Sequence, residues 1–264
     1  MLDSLRHLFR YRALIQGLVA RELAARYRGS LLGVFWSFVN PLLLLLVYTF
    51  VFTVVMPRAP GSGIDHIAVF MFCGILPWTW FQSSLVESSN VLISGGNLIR
   101  KVLFPAEVLP LVTVLSGLVH FCLGLPILAA FLAYYRIGVE PLDLLWLPVV
   151  MLVQLLFTAG LALLLAAITV HFRDVRDLLT NALYLWFFAT PILYPVSQAP
   201  PGARQWLRLN PFTHLATAYQ EILYVDGRFV AGTGFLVMAV LSVAVFAGGY
   251  FVFDRLRDTL AEEV

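Results

Sequence analysis

The chain has 264 residues, of which 61% are hydrophobic and only 12% are charged, and its formal net charge is +2. Soluble domains average about 45–50% apolar and about 25% charged residues, and a soluble fold leaves too much surface in water to absorb such an apolar excess. The composition therefore excludes an ordinary soluble domain. It predicts an integral membrane protein surrounded by lipid, and no nucleic-acid partner is expected.

The first 28 residues predict an amphipathic helix at the cytoplasmic membrane surface. With residues 3–28 placed 100° apart, apolar side chains lie opposite one narrow basic sector. The arginines of that sector are Arg6, Arg10, Arg21 and Arg28. Arg12 and Arg26 break the pattern, which would fit a kink. A basic amphipathic helix is expected to lie in the headgroup plane; the alternative is a charge cluster that only sets topology.

Six runs without Asp, Glu, Lys or Arg are long enough to span a bilayer, which takes about 20 helical residues. These runs are 29–56, 67–86, 108–135, 144–170, 178–203 and 229–253. Helices are expected because lipid leaves every backbone polar group to be satisfied within its own segment. The runs do not alternate as barrel strands do. The sequence therefore predicts an all-α fold with six transmembrane helices.

Basic residues predict the orientation of these spans. If the N-terminus is cytoplasmic, twelve of the seventeen Lys and Arg residues lie on the inner side. The five on the outer side are Arg58, Arg136, Arg204, Arg208 and Arg228. Both termini are therefore expected in the cytoplasm.

The polar break between the second and third runs contains Lys101, the chain's one lysine, in the stretch SGGNLIRKVLFPAE. Gly95 and Gly96 are a natural hinge, and an asparagine follows them as a candidate N-cap for a helix of one or two turns. The residues of this short helix are Asn97, Leu98, Ile99, Arg100, Lys101 and Val102. Its apolar side chains would anchor in a groove on a partner, with the basic pair setting the register. An ordinary positive-inside loop is an equal alternative.

A second break, HFRDVRDLL, repeats Arg173-Asp174 as Arg176-Asp177. The three-residue spacing puts the pairs on one helix face, where they can form ion pairs. These pairs would tie this corner to another cytoplasmic element. The plainer alternative is a solvated helix end that starts the fifth run.

Aromatic residues occur deep within two runs at four-residue spacing, as Tyr48 with Phe52 and Tyr184 with Phe188. Aromatic faces pack against the C–H faces of sugars, and their polar tips bond hydroxyl groups. These four residues are candidates for the lining of a channel. Contact with lipid or with neighbouring helices is an equal alternative for each of them.

The segment between Arg204 and Arg228 is too apolar for a free loop and too interrupted to span. Asn210-Pro211 predicts a helix start, and Thr213 is a second cap candidate. One or two short helices that re-enter the outer leaflet are expected. Such backbone is tolerated at membrane depth only against protein or a water-filled cavity.

No residue pattern points to catalysis. The chain lacks a G-x-x-x-x-G-K-[ST] motif, and its five histidines have no metal-ligand spacing. Cys73 and Cys122 lie within apolar runs and are interpreted as packing residues. Acidic residues occur only at the edges of the spans, as Glu87 and Glu107 do, whereas an ion-driven carrier would want them near the midplane. We therefore expect a transport subunit whose energy comes from outside the chain, not an enzyme.

Five stretches, in this order, resemble the membrane subunits of ABC-2-type polysaccharide exporters, and among them the O-antigen exporter permeases. The stretches are RYRGSLLGVFWSFVNPLLLLLVYTFVF, GILPWTWFQSSLVESSNVLISGGNLIRKVLFPAEVLPL, HFRDVRDLL, TPILYP and LNPFTHLATAYQEIL. The resemblance implies three parts: an interfacial helix (1–28), an ABC-2-type transmembrane domain (29–256) and a cytoplasmic tail (257–264). Residues 97–103 would be the coupling helix and 209–224 the re-entrant outer helices.

The resemblance also implies partners and cargo. The permease would form a homodimer in the bacterial inner membrane, with a channel at the dimer axis and two cytoplasmic ATPase subunits. ATP and magnesium would be bound by the ATPase, and this chain would hold no cofactor. The cargo would be an undecaprenyl-linked polysaccharide of the O-antigen type.

Three alternatives remain open at this stage. One is a permease for teichoic acid or capsule, and another is an ABC-2 permease for drugs or other small molecules. The third is a membrane glycosyl- or acyltransferase, which would need a polar cluster that the sequence does not offer.

Overall fold

The computed structural model of the protein describes residues 11–26, 28–30, 33–55, 64–95, 105–172, 174–225 and 228–263. Over these residues the fold is helical and contains no strand. The α-helices, in chain order, are α1 (Arg12–Arg26), α2 (Trp36–Phe50), α3 (Ile67–Ser94), α4 (Val108–Tyr134), α5 (Leu147–His171), α6 (Val175–Phe188), α7 (Pro201–Leu209), α8 (Pro211–Leu223) and α9 (Thr233–Glu263). A π-helical turn, Val51–Val55, extends α2.

Five helical stretches in the described ranges are long and apolar enough to cross a membrane. They are Trp36–Val55, Ile67–Ser94, Val108–Tyr134, Asp143–His171 and Thr233–Arg257. With 20 to 29 residues each, they extend about 30–43 Å at 1.5 Å per residue. They coincide with five of the six predicted runs, so the all-helical membrane fold is confirmed.

The remaining run, 178–203, is not one continuous helix. Helix α6 has 14 residues and ends at Phe188, so it extends about 21 Å, less than the roughly 30 Å of hydrocarbon. Three prolines, Pro191, Pro195 and Pro200, follow within twelve residues. Proline lacks the N–H that continues a helix and drives the preceding residue out of the α region. The chain therefore turns after α6 and restarts as α7.

Helix α3 is the centre of the bundle. It contacts α2, α4, α5, α6 and α8, and its large side chains Phe70, Phe72, Trp78 and Phe81 are almost fully buried. Its surroundings are therefore protein on most sides, although its composition alone would suit a lipid-facing helix.

Helix α2 has the opposite character. Only Ser37 and Leu45 of this helix are buried, while Leu43, Val47 and Phe50 are about half exposed. Because this face is apolar, it suits contact with lipid or with another protein chain and not with water.

The most extensive helix–helix contact joins α5 and α9. It depends on two glycines, because a Cβ on Gly249 would overlap the carbonyl oxygen of Gly160 and a Cβ on Gly160 would lie 2.5 Å from the carbonyl oxygen of Val245. Small residues let helix backbones approach in this way, and close packing is a main source of helix association in lipid.

We predict that Gly249→Ala lowers the free energy of unfolding by about 1–3 kcal/mol, the usual cost of forcing extra volume into a packed contact. The matched control is Gly248→Ala, because a Cβ at Gly248 meets no atom within 4 Å. That variant should be neutral or slightly stabilised, since alanine favours a helix over glycine by about 0.5–1 kcal/mol. Thermal unfolding in the same lipid nanodiscs measures both, and equal midpoints would contradict the close contact.

Candidate functional site

An ion pair joins α1 to the central helix. Nη2 of Arg26, the last residue of α1, lies 2.5 Å from both carboxylate oxygens of Glu87 in α3. Each side chain is about one third exposed, at 31% for Arg26 and 33% for Glu87. Helix α1 also packs along α4. The pair therefore fixes α1 to the part of α3 that leads, through Ser94 and Gly95, towards the 96–104 segment.

The ion pair explains why Arg26 departs from the basic face of its helix. Its guanidinium group is directed at α3, whereas the predicted basic face suits lipid headgroups. The sequence marks both partners as exceptions: Arg26 breaks the amphipathic pattern, and Glu87 is an acid at the edge of an apolar run. Sequence reasoning did not join them because they are 61 positions apart.

A cavity of about 470 Å³ lies beside the ion pair, between residues of α1, α2, α3 and α4. Its polar lining residues are Arg26, Ser30, Ser37, Asn40, Thr79, Ser83 and His120. Nδ1 of His120 donates to the carbonyl oxygen of Ser116 at 2.8 Å, so this ring nitrogen is satisfied within its own helix. The hydroxyl, amide and guanidinium groups of this lining can hydrogen-bond a polar head group or water.

The predicted coupling residues, Asn97 to Val102, lie outside the described residues, and their role stays a prediction. Arg173 also lies outside them. Asp174, Arg176 and Asp177 are exposed at the start of α6, and Asp174 occupies the N-cap position without a side-chain capping bond. Ion pairing at this corner therefore stays a prediction as well.

The four candidate channel residues lie in two different environments. Tyr48 and Phe52 stack with ring centroids 6.3 Å apart and pack, half-buried, against the main core. Tyr184 and Phe188 project from α6 with 59% and 67% of their surface exposed. The structure therefore leaves the α6 pair available to lipid or to another chain, and lining of a channel stays a prediction for all four.

Asn210 holds the junction of α7 and α8 to the end of α6. Its carboxamide oxygen accepts hydrogen bonds from Trp186 Nε1 at 2.7 Å and from the backbone N–H of Phe212 at 3.1 Å. Its amide nitrogen donates to the carbonyl oxygen of Ala189 at 3.0 Å and to Thr190 Oγ1 at 2.9 Å. One side chain thus caps α8 and also satisfies the turn that follows α6.

Helix α8 begins at Pro211 with Asn210 as its N-cap, the start that the sequence predicts. Thr213, the second cap candidate, does not cap the helix, because it is buried within α8 and its hydroxyl has no partner. The Phe212 ring packs on Trp78 of α3 at 4.8 Å. Helix α8 is therefore packed against the bundle and is not a free loop.

Within the described part of the chain there is no group of three or more His, Cys, Asp or Glu side chains that could hold a metal ion. Polar groups that the structure brings together include the Arg26–Glu87 pair, the adjacent cavity and the Asn210 cluster. These arrangements can position helices and bind polar groups.

Comparison with known proteins matches the ABC-2 type transporter family model to residues 13–224. The O-antigen export system permease protein RfbA of Myxococcus xanthus is 41% identical over 267 residues, covering 100% of both chains. A protein of the same name from Klebsiella pneumoniae is 30% identical over 252 residues, covering 92% of this chain and 91% of its own. The polysialic acid transport protein KpsM of Escherichia coli is 21% identical over 239 residues, covering 89% and 90%.

We predict that Arg26 and Glu87 are energetically coupled in a double-mutant cycle. Because each side chain is one third exposed, solvent screens part of the attraction, and the coupling between Arg26→Ala and Glu87→Ala should be about 0.5–1 kcal/mol. Chemical unfolding of the nanodisc-embedded protein measures it.

The matched control for this cycle is Arg21→Ala with Glu87→Ala, since Arg21 is an exposed arginine of the same helix. The effects of these two substitutions on the free energy of unfolding should add within about 0.3–0.5 kcal/mol. If the effects of Arg26→Ala and Glu87→Ala on the free energy of unfolding add equally well, the ion pair contributes nothing to stability.

Proposed function

The chain belongs to the ABC-2 type transporter family, and we propose that it is the membrane permease subunit of an ATP-driven exporter of polysaccharide of the O-antigen type. The observation that carries the proposal is the 41% identity over the full length of both chains to a protein named as an O-antigen export system permease. The spanning helices supply the multi-pass bundle that such a subunit needs.

The proposed topology has six membrane passages with both termini in the cytoplasm of a bacterium, within its inner membrane. Five passages are the spanning helices, and α6 followed by residues 189–200 would complete the sixth. The charge count supports this orientation, with twelve basic residues inside and five outside. In this arrangement residues 1–28 form the interfacial segment, 29–256 the transmembrane domain and 257–264 a cytoplasmic tail. Helices α7 and α8 would re-enter the outer leaflet.

A homodimer would bury the apolar faces that one copy leaves exposed. On α2 these include Leu43 and Val47, and on α6 they include Leu185 and Phe188, which are 51% to 75% exposed. A channel between two copies would be lined in part by the aromatic residues Tyr48, Phe52, Tyr184 and Phe188. Its cargo would be an undecaprenyl-linked polysaccharide.

Energy would come from two copies of a cytoplasmic ATPase, which would bind ATP and magnesium. The coupling helix would be the stub from Asn97 to Val102, and its chain connection to α3 supports this role. Since the Arg26–Glu87 pair ties α1 to the same helix, a push on the coupling helix would move α1 and α3 together as a rigid unit.

Capsule export is the second candidate function. It is favoured by the 22% identity to the capsule polysaccharide export inner-membrane protein CtrC of Neisseria meningitidis, an alignment that covers 77% of this chain. The two candidates share a mechanism and differ in the glycan, so the cell-surface polysaccharide distinguishes them.

We predict that deletion of the gene abolishes surface polysaccharide of the O-antigen type and leaves tolerance to small-molecule drugs unchanged. Electrophoresis of extracted lipopolysaccharide measures the first effect, and growth inhibition by a drug panel measures the second. A plasmid copy of the gene should restore the glycan. Normal surface glycan, or altered drug tolerance alone, would sink the proposal.

We also predict that the double charge reversal Arg100→Glu with Lys101→Glu abolishes stimulation of the ATPase partner without affecting membrane insertion. The physical reason is that a docked basic pair would be replaced by charges that repel its acidic contacts. ATP turnover by the co-reconstituted complex measures the effect.

The control for the coupling test is the reversal of Arg255 and Arg257 to Glu, two other basic residues on the proposed cytoplasmic side. That variant should stimulate the ATPase as the unmodified protein does. Equal stimulation by the Arg100/Lys101 variant would rule out the coupling role.

A further inference from the structure

A groove lies at the start of α3, at the end of the bundle opposite to Ser94 and Gly95, where α3 ends. Four chain connections meet there: the residues before α3, those after α4, the 3₁₀ turn Val196–Gln198 and the residues after α8. Its volume is about 620 Å³, within the roughly 300–1,000 Å³ of pockets that bind small ligands. In the proposed orientation the groove opens on the extracytoplasmic side.

Aromatic rings form one wall of the groove and are fixed in place. The ring of His66 stacks on Tyr135 with centroids 4.1 Å apart. The Tyr224 hydroxyl accepts a hydrogen bond from the backbone N–H of His66 at 3.0 Å, and the Tyr224 ring meets Phe70 edge-on at 5.5 Å. These contacts tie the wall to the buried core of α3, so it needs little ordering when a ligand binds.

Polar groups line the rest of the groove. Asp65, Arg136 and Gln198 contribute a carboxylate, a guanidinium group and an amide, and all three residues are exposed. The 3₁₀ turn that carries Gln198 is held by Arg204, which donates to the carbonyl oxygens of Ser197 and Ala199 at 2.5 and 2.7 Å. Planar groups of this kind can hydrogen-bond pairs of neighbouring hydroxyl groups.

Arg136 occupies a backbone conformation that suits glycine. Its φ is 56°, and it is the sole residue other than glycine with positive φ in the described part of the chain. The position closes α4, where Ile137 N–H donates to the Leu132 carbonyl oxygen at 2.9 Å and Arg136 N–H donates to the Ala133 carbonyl oxygen at 3.1 Å. Glycine is the usual residue at this point of such a cap.

Arg136 thus carries two independent costs. Its left-handed backbone is strained for a residue with a side chain, and an arginine on the outer side opposes the distribution that sets topology. Strained residues of this kind concentrate at ligand-binding positions. The side chain lines the groove, so binding is the role that would offset both costs.

We propose that this groove binds a short stretch of carbohydrate chain on the extracytoplasmic face, with the ring wall packing against sugar C–H groups and Arg136, Asp65 and Gln198 bonding hydroxyls. The combination of a fixed aromatic wall with planar polar groups is the chemistry that recognises sugars. This proposal rests on the proposed function, because the cargo reaching this face would be a polysaccharide.

The test uses the full-length permease in lipid nanodiscs and lipid-free polysaccharide released by mild acid from the host's own surface glycan. Saturation-transfer-difference NMR and a titration give the Kd. Arg136→Gly should raise the Kd at least tenfold while the thermal midpoint stays equal or rises, because glycine relieves the strained backbone. Asp65→Ala should raise the Kd at least threefold.

The matched control is Arg208→Ala, an exposed arginine of α7 that does not line the groove and should leave the Kd unchanged. The proposal is overturned if the unmodified protein does not bind, or if Arg136→Gly binds as tightly as it does. If Arg136→Gly lowers the thermal midpoint, the test depends on Asp65→Ala instead. An unchanged Kd of the Asp65→Ala variant for the polysaccharide then overturns the proposal.

The groove and the proposed function fail in different ways. Loss of surface glycan on gene deletion, together with unaltered carbohydrate binding by Arg136→Gly, would refute the groove proposal and support the exporter function. Normal surface glycan on gene deletion, together with weakened carbohydrate binding by Arg136→Gly, would refute the exporter function and support a carbohydrate-binding groove.

Discussion

The absence of water from hydrocarbon is the constraint on which this structure depends, because every backbone N–H and C=O must find a partner inside the protein. Where the helices are regular, the backbone satisfies itself. Where they are broken, polar side chains hydrogen-bond the exposed carbonyl groups. Gln220 donates to the carbonyl oxygens of Pro191 and Ile192, and Asn210 donates to the carbonyl oxygen of Ala189. Within α3, the carbonyl oxygen of Pro77 accepts a hydrogen bond from Gln154 of α5 at 2.8 Å. Several polar residues of this apolar chain are thus explained by backbone satisfaction.

Most spans could be predicted from the sequence because a helix that crosses the hydrocarbon needs a long run without charges, whether it faces lipid or protein. The break after Phe188 could not be found in this way, since counting charges takes no account of proline. Proline alone is also an insufficient signal, because Pro41, Pro77 and Pro126 lie inside helices. What differs after α6 is the density of prolines. Several of them follow one another too closely for neighbouring helices to compensate each lost hydrogen bond.

The candidate site could also be predicted only in part, because some of its contacts join residues close in the sequence and others join residues far apart. The Asn210 cap is local, since the residue, the following proline and the helix it starts are adjacent in the chain, and the sequence predicts it. The Arg26–Glu87 pair and the groove around Arg136 depend on where separate helices cross. Helical periodicity describes one helix at a time, so it can identify Arg26 as exceptional but cannot identify its partner.

Helix α3 connects the two ends of the molecule. Its C-terminal part leads to the proposed coupling segment and is tied to α1 through Glu87. At the other end, His66, just before the start of α3, stacks on Tyr135 in the groove around Arg136. The 28 residues of α3 span about 42 Å and are packed among α4, α5 and α8. Because packed interiors resist deformation, a push at one end should tilt this group of helices as a body and not slide α3 alone. The boundary with α2, which buries only two of its side chains, is then the one that is free to move. Movement at this boundary would open or close the proposed channel between two copies.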